Sequence, residues 1–259
     1  MTTRDPTPTG TPCWADLWTS DVGSSRLFYA ELLGWEPAEP DPNYGGYFNF
    51  ARQGTWTAGC MGDMGDMKAD DTWKPYLATR DLAQTTEAAR AAGAQVVVPA
   101  MPVGDLGVQG VLVDPTGAAV GVWQAGEWPG FAVVEEPGAP SWFELHTRDY
   151  AGAIAFYREV FGFEVTAVSD TDEFRYSTLR LPGTGLEVAG VLDHSKALTE
   201  AETSYWVIYW EVDNVDAAVS KLQELGGTVS MGATATPYGR LAVVADPNGA
   251  RFALRGTGD

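Results

Sequence analysis

Histidine, cysteine and basic residues are scarce in this chain. Of its 259 residues two are histidine, His146 and His194, and two are cysteine, Cys13 and Cys60. Two cysteines make no disulfide framework and have no metal-binding spacing, which suits a reducing compartment. Lys and Arg number 16 against 35 Asp and Glu, for a net charge of -19. Affinity for nucleic-acid phosphates depends on the scarcer sign, so no nucleic-acid partner is expected. No apolar run approaches the roughly 18 residues of a membrane span, and no charged-then-apolar signal pattern opens the chain. The expectation is a cytoplasmic protein with no membrane partner. Gly-x-Ser-x-Gly and the phosphate-binding Gly-x-x-x-x-Gly-Lys followed by Ser or Thr are also missing, which removes nucleophile-elbow and P-loop chemistry.

One stretch is present twice. Pro12 to Asp21, with Phe28-Tyr29 and Gly34-Trp35-Glu36 after it, is matched by Pro140 to Asp149, with Phe156-Tyr157 and Gly162-Phe163-Glu164. The separation is 128 positions at Pro12 and Pro140, at Tyr29 and Tyr157, and at Gly34 and Gly162, so one unit has been duplicated. Each copy reads as a strand running into a helix. Asp21 and Asp149 are the N-cap candidates and Gly34 and Gly162 the left-handed C-caps. Helical spacing over 22–33 places Leu27, Phe28 and Leu32 inward, and assigns Phe28, Tyr29, Phe156 and Tyr157 to the core.

Residues 1–11, rich in Thr, Pro and Gly, read as a disordered leader. Strands around Tyr44 to Phe50 and Trp56 to Met61 form a hairpin turning at Gln53-Gly54. A second strand-helix-strand-strand-strand unit runs from Trp73 to Trp123, and Asp114-Pro115-Thr116-Gly117 supplies a tight turn between its last two strands. A Pro- and Gly-bearing linker spans 127–139, between an N-terminal domain at 12–126 and a C-terminal domain at 140–256. In the latter, Asp246-Pro247-Asn248-Gly249 answers the earlier turn. The fold class is α+β, two tandem domains, each of two βαβββ modules.

These recurring motifs resemble the vicinal oxygen chelate superfamily, which includes glyoxalase I, extradiol dioxygenases and bleomycin-resistance proteins. The resemblance covers nearly the whole chain, and looks most like a tandem-domain actinomycete type linked to aromatic polyketide (anthracycline) pathways. It implies paired modules curling around a cavity, and inside it a metal held by residues seven before the helix-opening Asp, at the start of the second module's first strand, and seven after the Asp of Asp-Pro-x-Gly. Here those positions are Trp14 and Trp142, Lys74 and Val207, and Gly121 and Ala253. None is a plausible ligand, and a two-His-one-carboxylate site would need both histidines of the chain. The expectation is therefore no metal and no cofactor. His194, in the polar run Asp193-His194-Ser195-Lys196, is placed on the surface.

Aromatic and acidic residues stand in the metal's place. By strand parity Trp14, Asp16 and Trp18, and Trp142, Glu144 and His146, share the inner face, and Tyr76 and Tyr209 join them from neighbouring strands. Trp and Tyr present flat apolar area with one polar handle, and a carboxylate among them suits an amine on the ligand. Aromatics also serve packing alone, and a buried carboxylate often serves a structural hydrogen bond, so both roles stay open.

Two functions follow from these residues and the resemblance. One is a non-catalytic protein that sequesters or carries a flat aromatic natural product, cationic or not, in antibiotic biosynthesis or self-resistance, with a pathway oxygenase as a candidate partner. The other is a cofactor-independent isomerase, cyclase or lyase using Glu144 and His146 as acid-base groups. The tandem arrangement points to a monomer or a weak homodimer.

Overall fold

The computed structural model describes residues 7–256. Residues 1–6 of the expected leader lie outside them. Gly10 and Thr11 are paired to the chain, since Gly10 N donates to Ala78 O at 2.9 Å and Ala78 N to Thr11 O at 2.8 Å.

Four modules of like order make the fold. The first holds β1 (Pro12–Trp18), α1 (Val22–Leu33), a two-residue β2 (Glu36–Pro37), β3 (Phe48–Arg52) and β4 (Thr55–Met61). The second holds β5 (Thr72–Thr79), α2 (Leu82–Ala91), β6 (Gln95–Val103), β7 (Gly107–Val113) and β8 (Ala119–Ala125). In the third are β9 (Pro140–Thr147), α3 (Tyr150–Phe161), β10 (Glu164–Asp170), β11 (Arg175–Arg180) and β12 (Glu187–Asp193). In the fourth are β13 (Tyr205–Glu211), α4 (Val215–Glu224), β14 (Thr228–Thr236), β15 (Gly239–Ala245) and β16 (Arg251–Gly256). Modules one and two share an eight-stranded sheet of order β2-β3-β4-β1-β5-β8-β7-β6, and modules three and four repeat it as β10-β11-β12-β9-β13-β16-β15-β14. Each module runs its first strand parallel to a later one, as in β1 with β4 and β9 with β12, while the remaining pairs are antiparallel hairpins. The architecture is α+β with two tandem domains. Among the described residues no helix is long and apolar enough to cross a membrane.

Local chemistry explains the elements. Asp21 Oδ1 accepts from Ser24 N and Asp149 Oδ1 from Gly152 N, both at 2.9 Å, satisfying amides that the first helical turn leaves open. Gly34 and Gly162 end these helices at φ of 67° and 74°, where a Cβ would be strained. Gln53 and Gly54, both at positive φ, turn the β3–β4 hairpin.

The inward face of α1 differs from the expected one. Phe28, Tyr29 and Leu33 are buried with Ser25, Leu32 is half-buried, and Leu27 is 71% exposed. The anchoring of Tyr29 sets this rotation.

Two compact units divide the chain, with boundaries that fall inside β1, β5, β9 and β13. One joins 75–130 with 143–206 and the segment ending at Cys13; the other joins 14–74 with 131–142 and 207–259. Each unit therefore combines one module from each half of the sequence, and each is closed by the same clasp. In the second, Tyr29 Oη donates to Asp246 Oδ2 at 3.1 Å and accepts from Trp73 Nε1 at 2.9 Å. In the first, Tyr157 Oη donates to Asp114 Oδ2 and accepts from Trp206 Nε1, both at 3.0 Å. The other oxygen of each aspartate takes the amides of its own turn, from Asn248 and Ala250 or from Thr116 and Ala118. The duplicated Phe-Tyr of one module thus meets the duplicated Asp-Pro-x-Gly of another.

Burial raises the carboxyl pKa of Asp114 and Asp246 above the usual range, and pushes both tyrosines well above theirs, so the phenols remain donors. Replacing Tyr157 by Phe leaves Asp114 Oδ2 and the Trp206 indole unpaired together, and is expected to cost about 1–3 kcal/mol in urea unfolding, with a similar loss for Tyr29→Phe. A change within the scatter of ordinary surface substitutions would show that the clasp is not structural.

Candidate functional site

In the N-terminal half the inner face is tied up in its own bonds. Trp14 Nε1 donates to Asp16 Oδ1 at 2.9 Å and lies 3.0 Å from Tyr47 Oη, which itself donates to Asp16 Oδ1 at 2.9 Å. Trp14 also packs its ring 5.3 Å from that of Phe131. Tyr47 was not among the residues anticipated from sequence. Burial, with the Asp16 charge adding to it, raises its pKa well above the phenol range, which keeps it a donor. Gly59 makes the arrangement fit: it is the β4 partner of Asp16, and a Cβ there would meet Tyr47 Oη at 1.9 Å and Asp16 Oδ1 at 2.2 Å. The C-terminal half repeats this design. Gly190 is the β12 partner of Glu144, and a Cβ on it would meet Tyr176 Oη at 1.9 Å. Tyr47 and Tyr176 stand 129 positions apart, one off the repeat, which is the signal that pairs them.

Trp18 and Lys74 form a second internal pair. Lys74 is 2% exposed, with its Nζ 4.2 Å above the Trp18 ring, 2.5 Å from Asp70 Oδ1 and 2.6 Å from Thr72 Oγ1. Burial lowers the pKa of its ammonium, against the upward pull of Asp70.

Where the N-terminal half has Trp18, the C-terminal half has His146. Its Nε2 lies 2.7 Å from Glu144 Oε1, and the two residues are 4% and 7% exposed. The carboxylate accepts in this bond, so Nε2 carries a proton. Nδ1 is buried without a hydrogen-bond partner among the described residues. The rings of His194 and Tyr205 pack against His146, with centroids at 4.7 Å and 5.2 Å. His194 is half-buried, which corrects its expected place on the surface. Ser195 N donates to Asp193 Oδ1 at 3.1 Å in the turn that carries His194, and Ser195 and Lys196 are exposed while the imidazole packs on His146.

The remaining anticipated residues are Tyr76, Tyr209 and Trp142. Tyr76 lies across Gly121, where a Cβ would meet its ring at 2.3 Å, and its hydroxyl donates to Gln109 Oε1 at 3.1 Å. Tyr209 is buried on β13, opposite Ala253, and its carbonyl accepts from Ser141 Oγ at 3.3 Å. Trp142 is half-buried on β9. Cys13 and Cys60 are buried thiols whose pKa burial drives far upward, so both remain protonated and inert.

A metal of the kind the resemblance implies does not fit these residues. The indole of Trp14 already donates to Asp16, the Tyr76 ring fills the space beside Gly121, and Val207 and Ala253 carry no donor atoms.

Residues 139–254 match the family model described as Glyoxalase/Bleomycin resistance protein/Dioxygenase superfamily, and residues 14–122 match the Glyoxalase-like domain. Anthracycline biosynthesis protein DauV of Streptomyces sp. (strain C5) is 34% identical over 261 residues, covering 95% of this chain and 92% of that protein. The protein named "Putative glyoxylase CFP32" of Mycobacterium tuberculosis (strain CDC 1551 / Oshkosh) is 32% identical over 250 residues, covering 95% and 94%. Among solved structures, the 2,3-dioxygenase LapB from Pseudomonas sp. KL28 superposes with a TM-score of 0.64 at 17% identity, covering 98% of this chain and 94% of that one. The Mn(II)-bound glyoxalase from Novosphingobium aromaticivorans gives 0.65 at 17% identity, covering 96% and 83%. These structural likenesses concern the fold.

Lys74 supplies a pH test of the N-terminal cluster. Its folded pKa lies below the unfolded value, so its contribution to stability is present above the unfolded pKa and is lost as pH falls through the lowered folded one. Lys74→Met is expected to be at least as stable as the wild type near neutral pH, and the wild type to gain on it as the pH rises toward the ordinary lysine range. Urea unfolding at a series of pH values checks this; a wild-type advantage that shrinks with rising pH would contradict it.

Proposed function

The chain belongs to the Glyoxalase/Bleomycin resistance protein/Dioxygenase superfamily, and on that premise we propose that it is a metal-free small-molecule-binding protein that carries or sequesters a flat aromatic natural product. The observation that carries this reading is the inner strand face, where Trp14 holds a position that a metal donor would need and is bonded into a set with the Asp16 carboxylate and Tyr47. The names of relatives such as DauV support the ligand class, since an anthracycline is a flat, hydroxylated aromatic system. The charge of -19 favours a ligand that bears an amine. The setting this suggests is antibiotic biosynthesis or self-resistance.

A second reading rests on the pair Glu144 and His146. A carboxylate that holds Nε2–H fixes the tautomer and leaves Nδ1 as a base, and it stabilises the imidazolium formed when Nδ1 takes a proton. That arrangement would serve an isomerase, cyclase or lyase acting by proton transfer.

Tryptophan fluorescence of the full chain, titrated with anthracyclines while absorbance follows their conversion, separates the two. The carrier reading expects saturable quenching at micromolar ligand with no conversion, and a Kd about tenfold weaker in Glu144→Gln, the scale of one lost charge-assisted hydrogen bond. Conversion that disappears in Glu144→Gln would establish the enzyme instead. No quenching in the wild type would sink the carrier.

A further inference from the structure

A cavity of about 210 Å³ lies at the ends of β5 and β8, where Thr79 and Gln124 are register partners. Its walls include Thr7, Thr79, Arg80, Trp123, Gln124 and Pro129. None of the residues anticipated for the inner strand faces lines it, and no acidic side chain does so among the described residues. The chain as a whole carries 35 acidic residues against 16 basic ones. A wall with an arginine and no carboxylate runs against that balance and favours an anion.

Two groups in that wall are donors with nothing to donate to. Arg80, exposed between β5 and α2, has no hydrogen-bond or ion-pair partner among the described residues. Asp81, next to it in sequence, turns to the helix instead, its Oδ1 accepting from Gln84 N at 2.9 Å. Gln124 Oε1 accepts from Leu82 N at 2.8 Å, which fixes the amide and leaves its NH2 as a donor without a partner among the described residues. The opposite wall is apolar. Trp123 gives its Nε1–H to Trp128 O at 3.0 Å, packs edge-on to the Trp128 ring, and lies over Gly107, where a Cβ would meet the indole at 2.5 Å. That leaves the ring of Trp123, and not its N–H, for a ligand.

We propose that this cavity is a binding site for a small aromatic carboxylate, whose two oxygens take the Arg80 guanidinium and the Gln124 amide and whose ring lies against Trp123 and Pro129. A guanidinium matches a carboxylate with two parallel N–H bonds, and one cation balances one negative charge. Volume sets the size: about 210 Å³ falls below the roughly 300 Å³ at which drug-sized pockets begin, so the cavity suits a single ring. Phosphate or sulfate would offer no carbon to the Trp123 side, and a dianion would keep one charge unbalanced in a protein of net charge -19. The site shares no residue with the inner strand faces and stands or falls apart from the carrier reading.

Para-fluorobenzoate is the probe, followed by fluorine NMR on the full chain at neutral pH, with para-fluorobenzamide as its uncharged counterpart. The acid is expected to bind saturably and the amide about tenfold more weakly, the scale of one lost charge-assisted hydrogen bond. Arg80→Gln is expected to weaken the acid by about tenfold as well. Gln124→Glu keeps the acceptor for Leu82 N and puts a negative charge where the donor was, so binding of the acid is expected to be lost. Arg80 is exposed and Gln124 half-buried, and unchanged circular dichroism will show that the variants fold; should Gln124→Glu fail to fold, Arg80→Gln decides alone. Binding that does not saturate, equal affinity for acid and amide, or an affinity for the acid unchanged in Arg80→Gln overturns the proposal.

Discussion

A tyrosine hydroxyl bonded to a buried aspartate is the interaction on which the fold depends. Tyr29 with Asp246 joins the first module to the fourth, Tyr157 with Asp114 joins the third to the second, and each is completed by an indole, from Trp73 or Trp206. The aspartate does two things at once. One oxygen closes its own Asp-Pro-x-Gly turn and the other receives the helix of another module. A buried carboxylate is costly unless it is bonded, and here every part of the motif supplies a bond. That requirement explains why helix, turn and tryptophan recur together in both halves of the chain.

Duplication made two equivalent inner faces, and the residues on them have since diverged. Both keep a carboxylate opposite a glycine with a tyrosine hydroxyl over it, in Asp16, Gly59 and Tyr47 and in Glu144, Gly190 and Tyr176. The N-terminal copy adds Trp14, Trp18 and the buried Lys74, whose ammonium lies over the Trp18 ring and is bonded to Asp70. The C-terminal copy puts His146 at the position of Trp18, and among the described residues His146 Nδ1 and Trp18 Nε1 are both buried without a hydrogen-bond partner.

Much of the fold was legible because its signals are local. Asp21, Asp149, Gly34 and Gly162 cap helices through bonds reaching at most four residues, and the 128-residue repeat aligned the first strand and helix of each half without reference to structure. Signals that depend on distant partners were not legible. Tyr29 and Tyr157 read correctly as core, but their hydroxyl partners stand 217 and 43 positions away. The same distant anchor turns Leu27 outward, although its spacing fits an inward stripe. Lys74 looked like a lost metal ligand, whereas its burial is made by Trp18, Asp70 and Thr72. His194 took its expected surface position from polar neighbours, while its ring follows His146.

The central claim for the C-terminal half is that the bond to Glu144 holds the His146 imidazole in one tautomer. With only two histidines in the chain, long-range proton-nitrogen correlation spectra of the imidazoles at mildly alkaline pH test it without any ligand. The account predicts one histidine locked with its proton on Nε2 and a bare Nδ1, and loss of that lock in Glu144→Gln. A proton on Nδ1 of His146, or spectra averaged between tautomers in the wild type, would contradict it.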